Sequence, residues 1–111
     1  MGRYGADVKF MGSSGNAYDF ELWEINSRWT EVPAVFIASK KEYDHGQTRF
    51  LMLGCAETSN LREYLSNQRI LEQLKASGAK LICVLREGNR RTRQMIQADI
   101  RKYYSQRRRP Q

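Results

Sequence analysis

Two stretches of β-forming residues in the middle of the chain constrain the fold more than any other feature. The first, "AVFIAS" (Ala34 to Ser39), is almost continuously apolar, as expected for a central strand. The second, "RFLMLGCA" (Arg49 to Ala56), predicts its partner in a hairpin. The polar segment between them, residues 40–48 with Gly46, predicts an open hairpin loop exposed to solvent. The fold must therefore contain a sheet that other elements cover.

Helix and strand signals alternate after this hairpin. Asn60 is a good N-cap, apolar residues then recur at helical spacing, and Gly78 supplies a stop, which together predict one amphipathic helix from about Asn60 to Ser77. "AKLICVL" predicts a strand from Ala79 to Leu85. A second helix is expected from about Arg91 to Tyr104, with one apolar side.

The residues before the hairpin are less regular. Residues 1–17 predict a flexible N-terminal segment, with a short extended piece at Asp7 to Met11. Alternation from Tyr18 to Ile25 is typical of a half-exposed strand. We therefore expect one α+β domain over residues 18–105, a small mixed β-sheet flanked by helices, followed by a basic tail at residues 106–111.

Composition excludes several classes of protein. A chain of 111 residues can bury one core, and it contains no apolar run of the roughly 18 residues that span a bilayer. The N-terminus lacks the basic-then-apolar order of a secretory signal, so we expect a cytoplasmic protein that does not bind membranes. Cys55 and Cys83 lie among apolar residues without a Cys/His cluster. They predict buried reduced thiols, with no metal site and no cofactor.

The positive charge is confined to the C-terminal segment. Residues 1–85 contain ten Lys/Arg and ten acidic residues, so the last 26 residues hold the whole net charge of +7. Such asymmetry indicates an anionic partner, most often DNA or RNA bound through phosphates. The candidate nucleic-acid contacts are Arg86, Arg90, Arg91, Arg93, Arg101, Lys102, Arg107, Arg108 and Arg109.

Several stretches resemble the GIY-YIG endonuclease superfamily, in particular its small stand-alone bacterial members. "PAVFI" falls where the first family motif lies on a strand, and "GCAETSNLREYL" follows the line of the second motif into its helix. "SGAKLICVL" and "RRTRQMIQADIRKYY" match the later strand and helix in pattern. The similarity covers roughly Tyr18 to Arg109. It implies a GIY-YIG-like fold.

The same resemblance implies that the family's nuclease chemistry is lost. The two motif tyrosines correspond to Phe36 and Gly54, the helix arginine to Tyr64, the metal-binding glutamate to Gln97 and a late asparagine to Arg109. Phosphodiester cleavage requires charge stabilisation, an anionic metal ligand and a group that activates water. The family's residue is replaced at every one of these positions, so the resemblance implies no catalytic residue and no metal ligand, and it favours a protein that is not an enzyme.

Other interpretations of the same residues stay open. The C-terminal cations can form a solvated helix face. Tyr103 and Tyr104 can stack on unpaired bases, and Tyr103 can equally belong to the core. Trp23 and Trp29 are core residues or anchors for a protein partner. The sequence thus permits three functions: nucleic-acid binding, a protein interaction or scaffold subunit such as a homodimer, and a residual metal-dependent nuclease with displaced residues.

Overall fold

The protein is described by a computed structural model over residues 7–107, with side chains up to Ser105. Within these residues, five strands and three helices follow one another in the order β1, β2, β3, β4, α1, α2, β5 and α3. The strands are β1 (Val8–Met11), β2 (Ala17–Glu24), β3 (Ala34–Asp44), β4 (Gln47–Thr58) and β5 (Leu81–Arg86). The helices are α1 (Leu61–Leu65), α2 (Gln68–Ala76) and α3 (Arg90–Arg107). The α+β class predicted from the sequence is confirmed.

The sheet is entirely antiparallel, with strand order β1-β2-β5-β3-β4. The expectation of a mixed sheet is therefore wrong. The chain leaves β4, passes through α1 and α2, and returns as β5 on the far side of β3. Because β3 lies between β4 and β5, those two parallel strands never pair with each other, and β5 meets only antiparallel neighbours.

Each face of the sheet packs against different helices. On β3, Val35 and Ile37 face Ile96 and Ile100 of α3, because alternate side chains point to opposite faces of a strand. The residues between them, including Phe36, pack with α1 on the other face. This arrangement explains why the central strand reads as continuously apolar, since both of its faces are buried.

The single helix predicted from Asn60 to Ser77 is two helices. Asn60 caps α1 as expected, with its side-chain oxygen accepting from the amide of Glu63 at 3.1 Å. A second cap interrupts the helix, because the Asn67 side chain accepts from the amides of Arg69 and Ile70 at 3.0 and 3.2 Å. α2 ends as predicted at Gly78, which has a φ of 100°.

The polar segment between the hairpin strands is not an open loop. β3 and β4 continue beyond the sheet as a two-stranded ribbon that closes in a turn at His45 and Gly46, where φ is 50° and 80°. Two consecutive residues with positive φ are typical of the tight turns that join antiparallel strands. The ribbon residues are polar because they are exposed beyond the sheet, so composition resembled that of a loop.

Part of the N-terminal segment belongs to the folded domain. The extended piece expected at Asp7 to Met11 is present as β1, which pairs with β2 and buries Phe10 in the core under α3. The turn that follows is bonded to α3, since the Ser13 amide donates to the Asp99 carbonyl at 3.1 Å. Residues 1–6 lie outside the described range, as do residues 108–111 of the basic tail.

Among residues 7–107, no helix is both long enough and apolar enough to cross a bilayer.

Candidate nucleic-acid interface

Helix α3 presents one side to the sheet and the remainder to solvent. Ile96 and Ile100 are buried under it, and Tyr104 packs at the edge of the same cluster, 6.0 Å from the Phe10 ring. The Asn89 side chain caps the first turn by accepting from the Thr92 amide at 3.0 Å. The packing of these residues fixes which predicted cations of α3 face outward.

Four of the predicted cations form an exposed patch on α3. These residues are Arg90, Arg91, Arg101 and Lys102, here called the α3 cation patch. Members of each pair, Arg90 with Arg101 and Arg91 with Lys102, are 11 residues apart, which is close to three helical turns. Each pair therefore lies on one side of the helix. Their side chains have no ion-pair partner among residues 7–105, so all four are free to bind an anion.

Arg86 lies at the end of β5 and is partly neutralised. Its Nε donates to a carboxylate oxygen of Glu21 at 3.2 Å, and its side chain is about half exposed. A phosphate at this position would compete with Glu21 for the guanidinium. Arg86 is therefore peripheral to the α3 cation patch.

Arg93 belongs to the interior, not to the surface predicted for it. Only 3% of the residue is exposed, and its Nε donates to a carboxylate oxygen of Glu57 at 2.9 Å. Its Nη1 donates to the carbonyls of Glu87 and Gly88 at 3.1 and 3.0 Å. Because these partners occupy the guanidinium, we exclude Arg93 from the interface. The sequence missed this role because charge alone does not show which side of a helix is buried.

The remaining predicted contacts fall at the end of the chain. Arg107 is the last residue of α3, and its side chain lies outside the described range together with Arg108 and Arg109. Tyr103 is partly buried and meets Tyr104 edge to face at 5.1 Å. Tyr104 packs on the core, whereas the sequence interpretation considered a core position for Tyr103 only.

The four positions at which the GIY-YIG resemblance implied lost functional residues do not form one site. The rings of Phe36 and Tyr64 are in contact at 5.1 Å on the face covered by α1. Gln97 lies on α3 across the sheet, where its Nε2 donates to the carbonyl of Cys55 at 3.2 Å. Gly54 pairs with Ala38 in the sheet. With the ring pair and the amide on opposite faces, these side chains share no centre at which a phosphodiester can bind.

Asp99, the acidic residue nearest to Gln97 on the helix, has a structural role that the sequence did not indicate. Its carboxylate accepts from Ser14 Oγ at 2.6 Å, Tyr18 Oη at 2.7 Å, the Ser14 amide at 2.9 Å and Ser13 Oγ at 3.2 Å. The hydrogen bonds from Ser14 and Tyr18 lower the pKa of Asp99 from 3.8 to about 2. Asp99 therefore holds the β1–β2 turn against α3.

Two further observations bear on chemistry. Burial raises the pKa of both Cys55 and Cys83 from 9.0 to about 12, so both thiols stay neutral near pH 7 and are poor nucleophiles. Within the described residues, no three His, Cys, Asp or Glu side chains are grouped as metal ligands. His45 lies exposed at the tip of the β3–β4 ribbon.

A cleft between the segment after β2 and helices α1 and α2 was also missed. It has a volume of about 600 Å³ and is lined by residues 25–29 together with Arg62, Leu65, Ser66 and Leu71. These two parts of the chain are more than 30 residues apart, so only the tertiary fold brings them together.

Comparison of the chain with protein-family models, with curated proteins and with solved structures finds no match.

Proposed function

We propose that this domain binds nucleic acid non-catalytically through the α3 cation patch. The observation that carries the proposal is the exposure of Arg90, Arg91, Arg101 and Lys102 without ion-pair partners among the described residues. Guanidinium groups bind phosphate oxygens in a bidentate manner, and three of the four cations are arginines. The contacts are to phosphates, which carry no base identity, so sequence preference should be weak.

The dimensions of the patch suit a nucleic-acid backbone. At about 1.5 Å per residue, the 11-residue separation within each pair spans about 16 Å. Measured along the axis of a duplex, that distance covers about five base-pair steps at about 3.4 Å per step. Cations at both ends of the helix can therefore reach phosphates while its apolar side stays on the sheet.

The proposal includes a degenerate GIY-YIG-like origin for the domain. In its support, a β3–β4 hairpin, helices α1 and α2, strand β5 and helix α3 follow one another in the order that the resemblance implies. Binding without cleavage accords with the replacement of the family's functional residues by Phe36, Gly54, Tyr64 and Gln97. Purified protein should leave labelled DNA and RNA intact with Mg²⁺ or Mn²⁺. Cleavage that disappears on chelation would contradict the proposal.

The direct test is a fluorescence-anisotropy titration at low salt against short single- and double-stranded DNA and RNA. We expect saturable binding that weakens as salt rises, because each phosphate contact releases condensed counterions. At the same salt concentration, the variant in which alanine replaces Arg107, Arg108 and Arg109 should bind more weakly than wild type. The absence of binding to all four nucleic acids at low salt would refute the proposal.

A specific observation favours self-association as a second candidate function. β4 is an outer strand of 12 residues, its central part is apolar, and no described strand pairs with its outer edge. Long apolar edge strands favour pairing with another chain. Light scattering after size-exclusion chromatography should then show a dimer. Leu51→Lys should disrupt this dimer. Thr48→Lys, at the exposed end of the same strand, is the control and should leave it intact. A wild-type monomer at high concentration would exclude this candidate.

A further inference from the structure

The cleft between the segment after β2 and helices α1 and α2, here called the α1–α2 cleft, combines polar and apolar walls. Ile25, Leu65 and Leu71 contribute apolar surface, and Trp29 adds an aromatic ring held edge to face against Trp23 at 6.1 Å. Its volume of about 600 Å³ lies within the range of about 300–1,000 Å³ that small-molecule sites occupy. The cleft is therefore large enough for a ligand with a planar ring.

One residue that lines this cleft has a buried hydroxyl without a partner among the described residues. Ser27 is 8% exposed, and its Oγ has no hydrogen-bond partner among the described residues. Buried polar groups in folded proteins are nearly always hydrogen-bonded, because leaving one unpaired is destabilising. The backbone amide of Ser27 is satisfied by the Glu24 carbonyl at 3.1 Å, so only the side-chain hydroxyl lacks a partner among the described residues.

Two arginines from different parts of the fold line the same cleft. Arg28 follows Ser27 directly, and Arg62 belongs to α1. Both are exposed, and neither side chain has an ion-pair partner among the described residues. Guanidinium groups are well suited to bind a phosphate group, and two of them line this cleft together with Ser27.

We propose that the α1–α2 cleft binds a small phosphomonoester that carries a planar ring, a mononucleotide being the simplest example. Arg28, Arg62 and the Ser27 hydroxyl hold the phosphate, and Trp29 with Leu71 contacts the ring. The site is separated from the α3 cation patch by the sheet and does not depend on nucleic-acid binding by that patch.

The probe for this site is adenosine 5′-monophosphate, titrated into the full chain and followed by amide and indole NMR shifts. We expect saturable shifts at Ser27, Arg28 and Trp29, with adenosine and inorganic phosphate each binding at least about tenfold more weakly, since each makes only part of the contacts. The absence of saturable shifts would overturn the proposal. So would adenosine or inorganic phosphate binding as tightly as adenosine 5′-monophosphate.

Variants separate binding from folding. Arg28→Gln and Arg62→Gln should each weaken binding by about tenfold or more through the loss of a charge-assisted hydrogen bond. Ser27→Ala should weaken binding while leaving the melting temperature of the free protein unchanged or higher, because it removes an unpaired buried hydroxyl. Arg101→Ala/Lys102→Ala should bind the probe like wild type. Unchanged affinity in all three cleft variants, or an equal loss in the α3 variant, would contradict the assignment.

Discussion

At the scale of single residues, Arg93 shows how one cation can stabilise the fold while its neighbours remain available to a ligand. Arg93 is buried against Glu57 and two backbone carbonyls, whereas Arg91, two positions earlier, is exposed. Both residues look alike in the sequence. Their roles differ because 200° of helical rotation separates their side chains, as about 100° per residue requires.

Replacing Arg93 should therefore destabilise the protein. We expect Arg93→Ala to lower the free energy of unfolding by about 2–4 kcal/mol, because Glu57 and the carbonyls of Glu87 and Gly88 lose their donor. Arg91→Ala is the matched control and should change the free energy of unfolding by less than about 0.5 kcal/mol. Urea unfolding measures both. Equal stability of the two variants would show that the Arg93 contacts contribute nothing.

Asp99 predicts a pH dependence of stability. Its pKa is about 2 in the folded protein and 3.8 without these hydrogen bonds, so its stabilising effect is complete above pH 3.8 and disappears as the pH falls through about 2. Asp99→Asn should thus melt at a lower temperature than wild type near pH 7, and this difference should be much smaller near pH 2. Asp19→Asn, which removes an exposed partner of Lys9, is the control and should show a smaller difference. A constant difference for Asp99→Asn across this range would contradict the account.

At the scale of elements, Asn67 determines where α1 ends and α2 begins. Its side chain caps α2 through two backbone amides. Asn67→Ala should lower the free energy of unfolding by about 1 kcal/mol, as for other N-caps. Gln68→Ala, one residue later and also exposed, should have an effect below about 0.5 kcal/mol. If Asn67→Ala is as stable as Gln68→Ala, the cap does not define this boundary.

The elements that the sequence predicted correctly are those with strong local signals. β3 and β5 are apolar because both of their faces are buried, and α3 shows its apolar side at helical spacing. The β3–β4 ribbon was missed because strands outside the core lose their apolar pattern. Asn67 was missed because one capping residue does not interrupt an apolar repeat. The antiparallel placement of β5 depends on strand order, which local sequence does not contain.

The candidate sites also differ in how far the sequence could predict them. The sequence identified the type of residue in the α3 cation patch, since charge is visible directly, but not the burial of Arg93. Asp99 and Ser27 have roles that arise from contacts between distant segments, such as the four donors that Ser13, Ser14 and Tyr18 present to Asp99. No local pattern in the chain indicates contacts of this kind.

At the scale of the whole molecule, the sheet separates two surfaces with different chemistry. One carries α3 with its exposed cations, and the other carries the α1–α2 cleft with Arg28 and Arg62. The excess positive charge lies on the C-terminal segment, while residues 1–85 are balanced. Because long-range attraction of an anionic polymer depends on local charge excess, α3 is the surface that nucleic acid should contact first.

The measurement that tests this account most directly is the salt dependence of nucleic-acid binding in two matched double variants. Arg101→Ala/Lys102→Ala removes two exposed charges from α3, and Arg69→Ala/Lys75→Ala removes two exposed charges from α2 on the other face. For a duplex, the slope of log K against log salt is negative, and each lost phosphate contact should reduce its magnitude by about 0.9. The α3 variant loses two contacts, so its slope should fall in magnitude by about 1.8. We predict this reduction for the α3 variant and an unchanged slope for the α2 variant. Equal effects of both variants would contradict binding through α3.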